Sequence, residues 1–239
     1  FPYTTLFRSL WELSGGVPVR FGQIAVKDAK FRTFIADAAA RKEFYMHIYD
    51  VTYGLIRPGS DTLVVIDDSI VRGNTMRNAI LPILDRLGPK RIVISSSAPQ
   101  VRYPDCYGID MGSLKELVAF EAAAAILRRR GDGALLDEAY RLAGEDLRKS
   151  DREMINRVKM IYDAIATADL TREIGERLKP TGLKAELRIV FQSIEALREA
   201  CPGYDGDWYF TGDYPTPGGV RVVNQALVNY MENIEGRAY

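Results

Sequence analysis

The stretch from Thr62 to Thr75, which reads TLVVIDDSIVRGNT, constrains the fold of this chain more than any other. It opens with four apolar residues, 63–66, which are enough for one buried strand, and two acids, Asp67 and Asp68, follow directly. A short loop with Gly73 then leads into a helical pattern. This order predicts a strand, a turn and a helix N-terminus, where unpaired backbone N–H groups favour a phosphate.

The side chains of this stretch suit a phosphorylated sugar. Carboxylates such as Asp67 and Asp68 can bind sugar hydroxyls or a hard cation such as Mg²⁺. The hydroxyls of Ser69 and Thr75 add hydrogen-bond donors, and Gly73 lets a ligand approach the backbone closely. A strand followed by two acids and a turn also occurs in α/β proteins without a ligand, so the pattern alone leaves both interpretations open.

The neighbouring sequence predicts a parallel βαβ unit. Apolar residues recur at helical spacing over 76–87, Pro82 is expected to kink this helix, and Gly88 to end it. The apolar run 91–95 then predicts a second buried strand, joined to the first by a right-handed crossover. Further apolar patterns predict strands at 24–26, 44–53 and 187–191 and helices at 114–130, 135–148, 151–168, 193–199 and 221–234.

The motif at 62–75 resembles the site for phosphoribosyl pyrophosphate (PRPP) in type I phosphoribosyltransferases, and DDSIVRGNT is similar in particular to the amidophosphoribosyltransferase family. Two later stretches resemble signatures of the same family, SSSAPQVRYPDCYGIDM at 95–111 and GDWYFTGDYPTPGG at 206–219. In the family the first of these borders the place where the new amine or a nucleotide inhibitor lies. Tyr107 and Asp110 are therefore candidates to line the site, although a purely structural turn fits them equally well.

The resemblance implies a set of PRPP-binding residues, namely Asp67, Asp68, Ser69, Ile70, Val71, Arg72, Gly73, Asn74 and Thr75. It implies Mg²⁺ as the cofactor, held by the two aspartates. The stretch 27–35, KDAKFRTFI, resembles the family's flexible loop, in which Lys27 and Arg32 would close over the pyrophosphate during catalysis. A solvated basic turn is the alternative interpretation of this stretch.

The activity that the resemblance implies is that of a glycosyltransferase, amidophosphoribosyltransferase, which catalyses the first committed step of purine synthesis. It converts PRPP and glutamine into 5-phosphoribosylamine, glutamate and pyrophosphate. Purine nucleotides would act as feedback inhibitors, and the full-length enzyme would be a homo-oligomer. Two other hypotheses remain: a salvage phosphoribosyltransferase for purine or pyrimidine bases, and a non-catalytic regulator that senses PRPP.

Composition restricts the cofactors and partners. Lys plus Arg and Asp plus Glu number 32 each, so the sequence has no surplus of basic residues that would indicate nucleic-acid binding. It also has no apolar run of about 18 residues, the length needed for a membrane span. The two cysteines, Cys106 and Cys201, fit a reducing cytoplasm and exclude a four-thiolate iron–sulfur cluster on this chain. Some relatives carry such a cluster where Gly206 and Tyr209 stand here.

The expected fold is α/β, a type I phosphoribosyltransferase with a doubly wound, mostly parallel sheet that lacks its first elements and carries a helical C-terminal extension. Residues 10–130 would form the partial core, and residues 131–239 a mainly helical part that packs on it. Residues 1–9, FPYTTLFRS, match the translation of a sequencing-adapter oligonucleotide and are expected to be non-native. A glutaminase domain is expected to be missing upstream, so we expect this part alone to be inactive.

Overall fold

A computed structural model describes residues 19–20, 22, 25–27, 49–52, 54–108, 111–204, 206–236 and 238. The chain divides into two compact units, Phe1–Arg57 and Pro58–Tyr239. In the first unit, strand β1 (Ala25–Lys27) pairs antiparallel with strand β2 (Tyr49–Val51). Both strands lie within or next to stretches whose apolar pattern predicts them.

The second unit is built on a parallel three-stranded sheet. Its strands β3 (Thr62–Asp67), β4 (Arg91–Ser96) and β5 (Glu186–Phe191) follow one another across the sheet in the order β3-β4-β5. Both pairs are parallel and in register from end to end, so the three strands end together at one edge. The predicted α/β class is thereby confirmed, and the sheet is shared between the predicted core and the predicted C-terminal part.

The connection from β3 to β4 is helical, and its irregularity is caused by a proline. Helix α1 (Leu81–Asp85) continues directly from a π-helical segment, Met76–Ile80, in which the Leu81 N–H donates to the carbonyl of Met76. A proline ring at position 82 would clash with the carbonyl four residues earlier, and a widened turn relieves that clash. The helix ends as predicted, with Gly88 at φ +72° and its N–H donating to Asp85 (3.0 Å).

Helices dominate the rest of the second unit. They are α2 (Val118–Arg130), α3 (Gly133–Asp146), α4 (Val158–Asp163), α5 (Thr167–Leu178), α6 (Ile194–Ala200), α7 (Trp208–Thr211) and α8 (Pro217–Met231). Short 3₁₀ turns at Leu114–Glu116 and Asp151–Glu153 precede α2 and α4. None of the described helices combines the length and apolar character that crossing a bilayer requires.

The prediction of one helix over 151–168 is wrong. A 3₁₀ turn, helix α4 and the start of helix α5 occupy that stretch. Asn156 breaks the pattern because its buried side chain accepts from the Val158 N–H (3.1 Å) and donates to the Gly212 carbonyl (3.0 Å). Ala166, with ψ at 135°, then separates α4 from α5. The continuous apolar periodicity of the stretch hides both interruptions.

The core lies between the sheet and the helices. Alternate residues of the strands, among them Leu63, Ile92, Ile94 and Ile189, are buried on one face of the sheet, as the period of two requires. Helices α2 and α5 pack on each other, as do α3 and α8, and α5 contacts β5. Asp146, the last residue of α3, is fully buried and accepts hydrogen bonds from Arg157 (2.5 Å) and Lys149.

Candidate functional site

The two aspartates lie at the edge of the sheet where parallel strands end, the usual place for a ligand in such folds. Asp67 is the last residue of β3 and is half-buried, and Asp68 is exposed. Backbone hydrogen bonds hold both in place: Ser97 N–H donates to the Asp67 carbonyl (2.8 Å) and Ala98 N–H to the Asp68 carbonyl (3.1 Å). The loop after β4 therefore fixes the position of the aspartate pair.

Each carboxylate accepts a hydrogen bond from the backbone N–H of the next residue. Asp68 N–H donates to Asp67 Oδ1 (3.1 Å), and Ser69 N–H donates to Asp68 Oδ1 (2.6 Å). Burial raises the pKa of Asp67 above its ordinary value of 3.8, and the negative charge of Asp68 raises it further against the lowering effect of the amide hydrogen bond. Burial and the neighbouring carboxylate therefore disfavour the ionised form of Asp67, and a cation bound nearby would offset both effects.

This donor set fits Mg²⁺. Magnesium is usually bound by one or two carboxylates, with waters and phosphate oxygens of the substrate completing its coordination. Asp67 and Asp68 offer adjacent hard oxygen ligands, and the exposure of Asp68 leaves room for waters and substrate. Among the described residues, no group of three or more His, Cys, Asp or Glu side chains is placed to hold a metal, so the aspartate pair would hold the cation together with water and substrate.

The loop after the aspartates is anchored to the helical part of the chain. The side chain of Ile70 is buried, with 3% exposed, and the carbonyl of Val71 accepts from the N–H of Val118 at the start of α2 (2.9 Å). Arg72 forms an ion pair with Glu116 (2.8 Å). Because three successive residues are held from outside, the loop has a defined shape before any ligand binds.

Gly73 has two structural reasons to be glycine. Its φ is +73°, a conformation that residues with a Cβ rarely adopt, and an added Cβ would lie 2.1 Å from Cδ2 of Leu178. Leu178 is the last residue of α5 and is buried. The sequence predicts Gly73 as a place of close approach for a ligand; the structure shows close approach to a side chain of the protein.

The loop ends in a helix N-terminus. Arg77 N–H donates to the Gly73 carbonyl (2.9 Å), so the amides of Asn74, Thr75 and Met76 precede the first hydrogen bond of the helix. Within the described part of the chain, the Thr75 side chain makes no capping hydrogen bond. Asn74 and Thr75 are exposed, so these N–H groups and the Thr75 hydroxyl can donate to an anion.

The structure thus brings seven further predicted residues, 69–75, next to the aspartate pair in one continuous turn. Ile70 and Val71 contribute packing and a backbone anchor to this turn. Of the predicted flexible loop, Lys27 ends strand β1 in the first unit, and Arg32 lies outside the described residues. The roles of Lys27 and Arg32 stay predictions.

The other two family-like stretches pack against each other. The carbonyl of Tyr209 accepts from the amides of Arg102 (2.8 Å) and Tyr103 (3.1 Å), and its hydroxyl donates to Oδ1 of Asp105, which is fully buried (2.6 Å). Tyr107 is exposed and packs edge-on against Trp208. Asp110 lies outside the described residues. The contacts described here support a structural role for both stretches.

The sequence does not predict the residues that hold the loop in place. Glu116, Val118 and Leu178 are 44 or more residues from their partners in the loop and belong to no motif. A sequence pattern carries no signal for such pairs, because each is an ordinary residue in an ordinary helical stretch.

Comparison with known proteins supports the family resemblance. No family model matches the chain. The chain is 38% identical to the amidophosphoribosyltransferase of Pseudomonas aeruginosa over 110 residues, which are 45% of this chain and 21% of that protein. It is 32% identical to the Escherichia coli amidophosphoribosyltransferase over 109 residues, 42% of this chain and 21% of that protein. The predicted resemblance is therefore confirmed for part of the chain.

Among solved structures, the chain is similar to a glutamine PRPP amidotransferase from Bacillus subtilis complexed with ADP and GMP. The TM-score is 0.48 at 23% identity, with 87% of this chain and 35% of that chain covered. The chain spans about a fifth of the length of the curated relatives that it matches.

Proposed function

We propose that this chain carries the phosphoribosyltransferase part of an amidophosphoribosyltransferase and that residues 67–75 bind PRPP with Mg²⁺. The observation that carries the proposal is the pair Asp67 and Asp68 at the end of a parallel strand, followed by an anchored turn that leads into a helix. The similarity to amidophosphoribosyltransferases supports it independently of this geometry.

In this proposal each part of the turn binds one part of PRPP. Asp67 and Asp68 accept hydrogen bonds from the ribose hydroxyls and hold Mg²⁺, which when bound neutralises charge on the pyrophosphate. The amides of 74–76 and the Thr75 hydroxyl donate to the 5′-phosphate. The anchors at Val71 and Gly73 keep these donors in place, so that little ordering is needed when the ligand binds.

The full reaction would replace the pyrophosphate at C1 of the ribose with ammonia derived from glutamine, giving phosphoribosylamine. The transition state for such a displacement resembles an oxocarbenium ion, so positioning and neutralisation of the leaving group matter more than a strong base. Lys27 and Arg32 would supply positive charge to the departing pyrophosphate. We assign glutamine hydrolysis to none of the residues described here.

The regulatory and assembly properties implied by the family belong to the same proposal. They are inhibition by purine nucleotides, a homo-oligomeric full-length enzyme and a cytoplasmic location. The activity of the whole enzyme is proposed for a longer protein of which this sequence represents the PRPP-binding part.

Equilibrium binding of PRPP in the presence of Mg²⁺ tests this function. We expect the double variant Asp67→Asn and Asp68→Asn to bind about 100-fold more weakly than the wild type. One charged hydrogen bond lost at each carboxylate, at about 1.5 kcal/mol or more, gives a change of this size. Asparagine keeps the Oδ1 acceptors for the amides of Asp68 and Ser69, so the loop should stay folded.

Asp137→Asn is the matched control. Asp137 is an exposed carboxylate on helix α3, and its replacement changes net charge without touching the loop. PRPP affinity within about two-fold of wild type is expected for this variant, because an exposed charge outside the site contributes little. A double variant at positions 67 and 68 that bound PRPP as tightly as the control would refute the assigned site.

A further inference from the structure

The turn after the aspartate pair is held at two adjacent residues by one short segment, 116–118. The Val71 carbonyl accepts a hydrogen bond from the N–H of Val118 (2.9 Å), and the Arg72 guanidinium donates to Oε2 of Glu116 (2.8 Å). A single hydrogen bond would let the turn pivot about it, whereas two neighbouring contacts also fix its orientation. The side chain of Glu116 therefore completes an attachment that the backbone of Val118 alone does not provide.

The backbone that carries Glu116 is itself firmly placed. The neighbouring side chains of Leu114 and Leu117 are fully buried. The N–H of Glu116 donates to the carbonyl of Ser113 (3.2 Å), and the N–H of Leu117 donates to the carbonyl of Leu114 (3.2 Å). Because the segment is fixed on both sides of Glu116, its carboxylate restricts where the bound guanidinium can lie.

The groups that we assign to the 5′-phosphate follow directly after this attachment. The carbonyl of Gly73 accepts from the N–H of Arg77 (2.9 Å), so the orientation of residues 71–73 sets the direction of the amides 74–76. These N–H groups must point toward one place to bind a phosphate, and hydrogen bonds weaken steeply as their angle departs from linear. A rotation of residues 71–73 would therefore weaken phosphate binding without any contact being lost at the ligand.

The contact with Glu116 also bears on the role of Arg72, which is one of the predicted PRPP-binding residues. To bind a phosphate directly, the guanidinium would have to share its donors with Glu116 or leave it, and the Glu116 carboxylate would repel the phosphate. The two side chains are 35% and 43% exposed, and exposed ion pairs contribute little to overall stability. The pair is therefore better suited to orienting the turn than to stabilising the whole fold.

We propose that Glu116 is a positioning residue for PRPP binding and that it acts by holding Arg72. Arg72 then serves the site through this contact and does not touch the ligand. This inference rests on the function proposed above, because the turn that Glu116 orients is the one assigned to PRPP.

The test is the affinity of variants for PRPP with Mg²⁺, measured by isothermal titration calorimetry. Glu116→Ala should weaken binding about five-fold, the most that an exposed ion pair is expected to contribute. Glu116→Gln should stay within about two-fold of wild type, because its amide oxygen can still accept a hydrogen bond from Arg72. Arg72→Gln should weaken binding as much as Glu116→Ala, and combining the two should add no further loss, since both remove the same contact.

Glu186→Ala is the matched control. Glu186 forms an ion pair of similar length and exposure with Arg91 (2.7 Å, side chains 57% and 37% exposed). Both are the first residues of their strands, at the end of the parallel sheet opposite to Asp67. Its replacement should therefore leave PRPP affinity unchanged.

Hydrogen exchange of the ligand-free chain, followed by NMR, gives a readout that does not depend on PRPP. The Arg77 N–H is hydrogen-bonded to the Gly73 carbonyl. It should exchange faster in Glu116→Ala than in wild type, because the turn that carries this carbonyl is less restrained. Glu186→Ala should leave its exchange rate unchanged.

Several results would overturn the inference. If Arg72 itself binds a phosphate, Glu116→Ala should strengthen PRPP binding, because the competing carboxylate is gone, while Arg72→Gln should weaken it. Unchanged affinity in Glu116→Ala, or an equal loss in Glu186→Ala, would also overturn it. Failure of the wild type to bind PRPP would instead refute the proposed function, and faster exchange at Arg77 in Glu116→Ala would then leave the shaping of the turn by Glu116 standing.

Discussion

Replacing Gly73 with alanine tests whether close packing against Leu178 shapes the loop. The φ of +73° alone costs a residue with a Cβ about 1 kcal/mol. The new Cβ would lie 2.1 Å from Cδ2 of Leu178, which is only 1% exposed, so this packed side chain has to shift to accommodate it. Overpacking of a buried side chain costs about 2 kcal/mol, so we expect Gly73→Ala to lower the free energy of unfolding by about 3 kcal/mol.

Gly131→Ala separates the backbone cost from the packing cost. Gly131 ends helix α2 at φ +83°, and an added Cβ there would meet no described atom within 4 Å. Only the conformational cost of about 1 kcal/mol applies, and the smaller entropy of the unfolded alanine chain affects both variants equally. The difference between the two variants, about 2 kcal/mol, therefore measures the contact with Leu178.

A double-mutant cycle completes the test. In a Leu178→Ala background the clash is absent, so Gly73→Ala should cost about 1 kcal/mol, like Gly131→Ala. The assay is urea unfolding followed by circular dichroism, with the free energies compared at equal slope. Equal destabilisation by Gly73→Ala and Gly131→Ala in the wild-type background would refute the packing argument.

Three further predictions concern single residues. Because the pKa of Asp67 is raised above 3.8, ionisation disfavours the fold as pH rises, so Asp67→Asn should be more stable than wild type at pH 7. This gain should vanish as pH falls below 3.8, and a gain that stayed constant between pH 7 and pH 3.5 would contradict it. Asp146→Asn removes the negative charge that Arg157 and Lys149 bind, and urea unfolding at pH 7 should show that the free energy of unfolding falls by about 3 kcal/mol. An unchanged free energy of unfolding would show that these ion pairs do not stabilise the fold. Tyr209→Phe removes a donor to buried Asp105 and should cost about 1–2 kcal/mol in the same assay, whereas Tyr204→Phe, at a residue 79% exposed, should cost nothing.

Asp146 also predicts how stability depends on acid. Burial opposes ionisation of its carboxylate, but the hydrogen bonds from Arg157 and Lys149 outweigh this and lower its pKa below 3.8. The stabilisation is therefore complete above pH 3.8 and is lost as pH falls through the folded-state pKa. Asp67 and Asp146 thus act in opposite directions over neighbouring pH ranges, which is why the variants are best compared at several pH values.

The strands and turns of the second unit could be predicted because their signals are local. Apolar runs gave strands β3 and β4, the proline at 82 marked an irregular helix, and Gly88 marked its end. The strand at 187–191 was also predicted, but its parallel pairing with β4 was not, because pairing depends on contacts between residues about 95 positions apart. The helix break near Asn156 was missed for the same reason.

The candidate site, too, is predictable only where its residues are close together in the sequence. Residues 67–75 are contiguous, so one motif predicts them all, together with the helix N-terminus that follows. The sequence does not predict the contacts that hold these residues in place. They are the packing of Leu178 against Gly73, the hydrogen bond from the Val118 N–H to the Val71 carbonyl, and the ion pair of Glu116 with Arg72.

The metal dependence of PRPP affinity tests most directly whether Asp67 and Asp68 bind PRPP through Mg²⁺. The measurement is the dissociation constant of PRPP for the wild type and the double asparagine variant, each with Mg²⁺ and with EDTA. We predict that EDTA weakens binding by the wild type strongly and binding by the variant hardly at all, because the variant has already lost the carboxylates that hold the cation. An equal effect of EDTA on both proteins would contradict the assignment of these two residues.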